Sequence, residues 1–272
     1  MGSRAGPRSS RKPWFRYLIT AGLAAGVAAP AHAGAWPQKK GEGLTIVTTL
    51  ADRADRARGD DRQIVEDGYF YKDEVSLYAE YGVSQRLTAI ARVAWQDVRR
   101  RDGPDFDSAT GLSASEVGLR WAVRQDANAV YSLQATALIP GQGENVSNRP
   151  LGDGGQAWEV RALWGHAFGE TVFTDAQLAY RWRDAENLDE LRLDATFGWR
   201  PRENWLLLGQ AFAVTSAEAG RAGRADFDQL KLQISAGRQL GAVEYHIGAF
   251  VTPTGRNTIE ERAVFLSVWR RF

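Results

Sequence analysis

Across most of its length this chain alternates apolar and polar side chains. It does so in segments of roughly ten residues, separated by stretches rich in glycine and charge. Successive side chains of a strand point to opposite sides, so period two marks a strand with one apolar face. In "LRLDATFGW" (191–199), Leu191, Leu193, Ala195, Phe197 and Trp199 take one face, and Arg192, Asp194, Thr196 and Gly198 the other. "LKLQISAG" (230–237), "VEYHIGAFV" (243–251), "EVGLRWAV" (116–123), "WEVRALW" (158–164) and "EVSLYAEY" (74–81) repeat the pattern. Twelve segments follow, at about 44–56, 73–83, 86–99, 113–124, 129–140, 156–167, 171–183, 189–200, 204–216, 226–238, 242–252 and 260–272. The first and ninth alternate poorly, which leaves the count open by a strand pair. Helical period is scarce, and no stretch after the first 33 residues approaches the roughly 18 apolar residues of a membrane helix.

The connections alternate in length. Short ones lie at 84–85, 124–128, 167–170, 201–204 and 239–242. Long or more polar ones lie at 57–72, 99–112, 140–155, 184–189, 217–225 and 253–260. This alternation requires an even strand number, with both chain ends on the short-turn side. The fold class is therefore all-β, an antiparallel up-and-down barrel of about 12 strands.

A barrel with one apolar face can point it inward as a soluble protein or outward at lipid. Three features choose lipid. Aromatics collect at segment ends, as Tyr81, Trp121, Trp164, Trp182, Trp199 and Trp205 do, where membrane interfaces hold them. The opposite face is charged. Long and short connections alternate as outer loops and periplasmic turns do. The mean hydropathy of −0.38 then makes sense, because half of each strand faces a wet interior.

The first 33 residues read as a cleavable signal peptide. Arg4, Arg8, Arg11, Lys12 and Arg16 form a basic region without an acid, followed by an apolar run that ends in Ala31-His32-Ala33. An uncleaved N-terminal anchor is the other reading. Residues 34–43 then form an N-terminal periplasmic arm, and 44–272 the transmembrane barrel. Without the five basic residues of 1–33, 29 basic residues stand against 33 acidic ones, a net −4. That balance gives no support to nucleic-acid binding. The chain has no cysteine, which excludes disulfides, thiolate metal sites and a lipidated N-terminal cysteine.

The chain ends inside its alternating pattern, on "AVFLSVWRRF" (263–272). Val264, Leu266, Val268 and Phe272 share one parity and are expected to face lipid, with Phe272 at the periplasmic interface. Here the sequence resembles bacterial outer-membrane β-barrel proteins, whose last strand commonly ends on Phe as an assembly signal. Position 270, often aromatic in that pattern, is Arg. The short turns in "EYGVSQRLT" and "FGWRPRENWLL" are similar to those of proteobacterial porin-like barrels of unassigned role. The resemblance covers nearly all of 40–272. It implies the outer membrane of a Gram-negative cell, contact with its lipids, and insertion by the barrel-assembly machinery after general secretion. The twin-arginine lookalike "SRKPWF" carries little weight, because that route exports folded proteins. Oligomeric state stays open.

The candidate site is the inward face. Glu80, Arg92, Glu116, Arg120, Glu159, Arg161, Asp175, Arg181, Glu190, Arg192, Asp194, Lys231, Glu244 and His246 are expected to line the lumen. Counting from the turns brings Glu159, Arg181, Arg192 and Asp194 together. Such charges must pair or be hydrated. They either interlock as a filling of the barrel or line a narrow path for small polar or charged solutes, and twelve strands lie between the filled and open extremes. No cofactor is expected. Two histidines survive cleavage, His166 and His246, too far apart for a metal pattern. His166 reads as interfacial. His246 beside Glu244, with Ser235 across the strand pair, raises a lipid-hydrolase alternative; a conductance-free structural or surface-binding barrel is the other.

Overall fold

The computed structural model describes residues 34–66, 68–102, 104–141, 156–184, 187–220 and 225–272. The expected signal peptide and most of the connection at 140–155 lie outside the described residues.

Twelve long strands form a closed antiparallel ring. They are β1 (Gly43–Ala54), β2 (Gly68–Gly82), β3 (Leu87–Asp102), β4 (Asp105–Leu112 continued by Ser115–Gln125), β5 (Ala129–Ile139) and β6 (Ala157–Phe168). Then come β7 (Val172–Arg183), β8 (Glu190–Arg202), β9 (Trp205–Ser216), β10 (Asp228–Leu240), β11 (Val243–Arg256) and β12 (Arg262–Arg271). Each strand pairs with the next in sequence. β1 closes the ring on β12, with Leu44 opposite Arg271 and Arg53 opposite Arg262. Closure pairs the central part of every strand on both sides, as a hydrocarbon layer demands; among the described residues Asp105–Leu112, beyond it, pairs with β3 alone.

The apolar parity faces outward. Val117, Leu193, Ile234, Ile247, Val264 and Leu266 are all exposed, while Arg120, Glu159, Glu190 and Glu244 are buried. Trp158 and Trp182 pair across β6 and β7 near the long-loop end. Tyr81, Trp121, Trp164 and Trp199 ring the short-turn end. Ile234 is 70% exposed midway along β10. Ile234→Arg is expected to cost about 2–4 kcal/mol, the penalty for a cation on the lipid face at mid-depth, in denaturant unfolding from vesicles.

Three long connections are shorter than expected. β2 begins at Gly68, β3 runs to Asp102 into the first half of β4, and β11 runs to Arg256. No apolar alternation marks these extensions: "RRRD" (99–102) is charged on both faces, and "GYFYK" (68–72) is aromatic on both, with Phe70 buried against Ala54, Val98 and Ile259. The backbone ladder continues regardless, because hydrogen bonding between strands does not depend on side-chain polarity. Short strands Ala57–Arg58, Ile64–Val65 and Thr258–Ile259 tie the first and last long connections together. Pro201 and Pro253 lie inside strands, each at a register shift, where a missing N–H is tolerated.

The short turns are locally specified. Asp126 Oδ1 accepts from the N–H of Asn128 (3.1 Å) and of Ala129 (2.8 Å). Those two donors hold its carboxyl below the usual carboxylate range. Phe272 ends the closing seam. Its N–H donates to Gly43 O at 3.1 Å and its carbonyl accepts from Gly43 N at 2.8 Å, with the ring exposed over Gly43.

Candidate functional site in the barrel lumen

Alternation sends one side chain in two of every strand into the ring, and β6 to β8 send charges. Glu190, 1% exposed, accepts from Arg183 Nη1 at 2.6 Å and Arg192 Nη1 at 2.8 Å, with Arg181 Nη1 at 3.9 Å. Glu159 takes Arg181 Nη2 at 2.8 Å and Arg161 Nε at 2.9 Å. Arg161 continues to Asp194 and to Gln177 Oε1. The result is one relay of alternating sign running across three strands. Glu159, Arg181, Arg192 and Asp194 thus lie together in it.

A second group faces it from β1 to β4 and β10 to β12. Lys72 Nζ lies 3.4 Å from Asp52 Oδ2, both buried. Arg92 bridges Glu74 (2.9 Å) and Glu116 (3.8 Å), and Gln96 Nε2 donates to Glu74 at 2.6 Å. Lys231 Nζ lies 3.1 Å from Glu261, which also accepts from Gln229.

Residues 34–42, expected on the periplasmic side, thread into the ring from its short-turn end. Lys40 forms a bridge with Gly82 at the end of β2, and Gly41 N–H donates to Gly82 O at 2.9 Å. Inside, Gln38 N–H donates to Thr88 Oγ1 (2.9 Å) and Gln38 Nε2 to Glu80 Oε2 (2.6 Å). Arg120 donates through Nη1 to Trp36 O (3.1 Å) and through Nη2 to Glu80 Oε1 (2.8 Å). Ser132 Oγ donates to Ala35 O (2.6 Å), and Ala35 N–H donates to Asp175 Oδ2 (2.7 Å). The Trp36 ring lies against Gly165, where any Cβ would fall 2.2 Å from it. Ala35 and Trp36 pack with Ala122, Val130 and Leu163. The arm therefore passes from β2 round to β7, in the short-turn half of the lumen.

The remaining width at that end holds an apolar cluster of Phe173, Leu206, Leu208 and Trp269 from β7, β9 and β12. Arg200 Nη2 lies 3.6 Å from Glu244 beside it. His246 Nε2 meets Glu244 Oε1 at 2.6 Å, and its ring stacks on Trp269 at 4.3 Å. Ser235 does not stand across from His246: the register puts Gly237 there and sets Ser235 opposite Gly248. Ser267, opposite His246 on β12, bonds Thr48 instead at 2.8 Å. No serine hydroxyl reaches His246 among the described residues, so the nucleophile that acyl transfer needs is not assembled. His166 points outward, between Trp164 and Phe168.

Several inward groups escape the sequence reading. Lys72 falls in the connection expected at 57–72, and Glu74 at the start of β2 and Asp52 near the end of β1 lie where alternation is weak. Continuing the parity of Ser76, Tyr78 and Glu80 backward through β2 identifies Glu74 and Lys72. Trp36 and Gln38 carry no periodic signal.

No protein-family model matches the chain, and no curated protein does. Solved structures match over nearly their whole length. The COG4313 outer membrane channel from Pseudomonas putida F1 is similar at TM-score 0.70 and 15% identity, covering 90% of this chain and 99% of that one. The translocator domain of the autotransporter NalP from Neisseria meningitidis is similar at TM-score 0.55 and 10% identity, covering 89% and 91%. The NanC porin is similar at TM-score 0.53 and 8% identity, covering 82% and 98%. The likeness is one of fold: this chain has the closed antiparallel β-barrel fold of these outer-membrane proteins.

Proposed function

We propose that the protein is a narrow outer-membrane channel for small polar or charged solutes, with its short-turn end constricted by its own N-terminal arm. One observation carries this reading: among the described residues, the ion pairs between inward side chains of the strands in the long-loop half join neighbouring strands or skip one, and so run along the wall. Arg181–Glu159, Arg183–Glu190, Arg92–Glu74 and Lys72–Asp52 join adjacent strands. Arg161–Asp194 and Lys231–Glu261 skip only one strand. Pairs that hug the wall leave the axis to water and present charge of both signs to a passing solute, replacing part of its lost hydration. The similar structures named as a channel and a porin accord with it.

The test is planar-bilayer recording of the purified, refolded protein. Discrete current steps are expected. A barrel proven folded by its heat-dependent gel mobility, yet giving no steps above the lipid background, overturns the reading. It would leave a spanning barrel without conductance, a reading that draws on the filled short-turn end, where Phe173, Leu206, Leu208 and Trp269 meet.

A further inference from the structure

Asp175 stands apart from the other inward carboxylates. Glu74, Glu80, Glu159, Glu190, Asp194 and Glu244 each have an arginine within 4.0 Å, whereas among the described residues no cationic side chain comes that close to Asp175. Asp175 is nonetheless 2% exposed. Its bonds are neutral ones, from Gln177 Nε2 (2.6 Å) and Ala35 N–H (2.7 Å). A buried carboxylate without a counter-charge is costly.

The residue pressed against this carboxylate is Gly34. A Cβ at Gly34 would fall 2.5 Å from Asp175 Oδ2, so the glycine backbone itself lies on the acid, at φ +110°. Gly34 is also the residue that follows Ala31-His32-Ala33, the cleavage signal read from the sequence. We infer that removal of residues 1–33 creates the missing partner, and that the α-ammonium freed at Gly34 is the counter-ion of Asp175. Hydrolysis of the Ala33–Gly34 bond by a signal peptidase puts the oxygen of water on the Ala33 carbonyl carbon and both its hydrogens on the Gly34 nitrogen. Ala33 departs as a carboxylate and Gly34 remains as an ammonium. Before cleavage that nitrogen is an uncharged amide and cannot neutralise Asp175. Processing and docking are thereby coupled: only the cut chain has the charge that anchors the arm in the lumen. This inference rests on the cleavage reading and on the arm's placement, and does not require that the barrel conduct.

The experiment uses protein extracted from outer membranes. N-terminal sequencing is expected to begin at Gly34. The folded barrel is then treated briefly with acetic anhydride near neutral pH, and labelling of the peptide "GAWPQK" (34–39) at its α-amine is followed by mass spectrometry. Wild type is expected to label about tenfold more slowly than Asp175→Asn, one pKa unit of protection being a factor of ten. A second variant carries two extra alanines between Ala33 and Gly34, cut at its new start, and keeps Asp175. It is expected to label as fast as Asp175→Asn. Equal rates in wild type and Asp175→Asn, or a mature chain beginning elsewhere, overturn the proposal. A protein that gives no current steps but shows the protected amine retains this inference and loses the channel.

Discussion

Glu190→Gln is expected to destabilise the barrel by about 3–5 kcal/mol, the range for removing one partner of a buried ion pair. The glutamine keeps the shape and loses the charge. Arg183 and Arg192, at 2.6 and 2.8 Å, then lose the carboxylate they share, and Arg181, at 3.9 Å from it, keeps Glu159. Arginine does not deprotonate, so the cluster cannot relieve itself by giving up protons. Water in the lumen screens part of the repulsion and pulls the effect toward the lower end of the range. The measurement is the shift of the guanidinium unfolding midpoint in lipid vesicles at unchanged slope. Glu170→Gln, in the exposed turn between β6 and β7, is the control and is expected to stay within about 0.5 kcal/mol of wild type. Glu190→Gln also removes one negative charge from the wall, so the reversal potential across a salt gradient is expected to move toward anion preference. A midpoint unchanged by Glu190→Gln would mean that the relay of β6 to β8 contributes nothing to stability.

The parts of this molecule legible in its sequence are those where lipid imposes a rule. Between the interfaces every outward side chain must be apolar and every second one points in. "LRLDATFGW" therefore states its strand, its face and its charged partners at once. The relay of Glu159, Arg181, Arg192 and Asp194 follows from that parity and from the short turns that set register. Outside the hydrocarbon layer the rule lapses. The outer ends of β2 and β3 carry Lys72, Asp73 and Arg99 to Arg101 on both faces, and the backbone ladder keeps them extended. "GAWPQKK" (34–40) has no period at all, because it is held by single hydrogen bonds to five different strands of the wall. No local pattern could announce a segment whose fold is set entirely by what it lies against.

That arm yields the largest functional expectation. Deleting Ala35 to Gln38 is expected to raise the single-channel conductance several-fold and leave the barrel folded. Five hydrogen bonds to the wall disappear with the segment, from Ala35 N–H, Ala35 O, Trp36 O, Gln38 N–H and Gln38 Nε2. At roughly 0.5–1.5 kcal/mol each, their loss would be serious in a dry core. Here Thr88, Ser132 and Asp175 are left facing a newly opened, wet space, so water takes the vacated positions and the net cost falls. Glu80 and Arg120 keep each other at 2.8 Å, and Tyr78 still donates to Glu80 at 2.5 Å, so the deletion strands no charge from that pair. Stability should therefore move much less than conductance, which depends on the cross-section the arm vacates from β2 round to β7. The comparison is between recordings of the deleted and intact proteins, with vesicle unfolding alongside. Unchanged current steps in the deleted protein would show that the arm is not what narrows the path. The constriction would then be the cluster of Phe173, Leu206, Leu208 and Trp269, which spans β7 to β12 without any help from the arm.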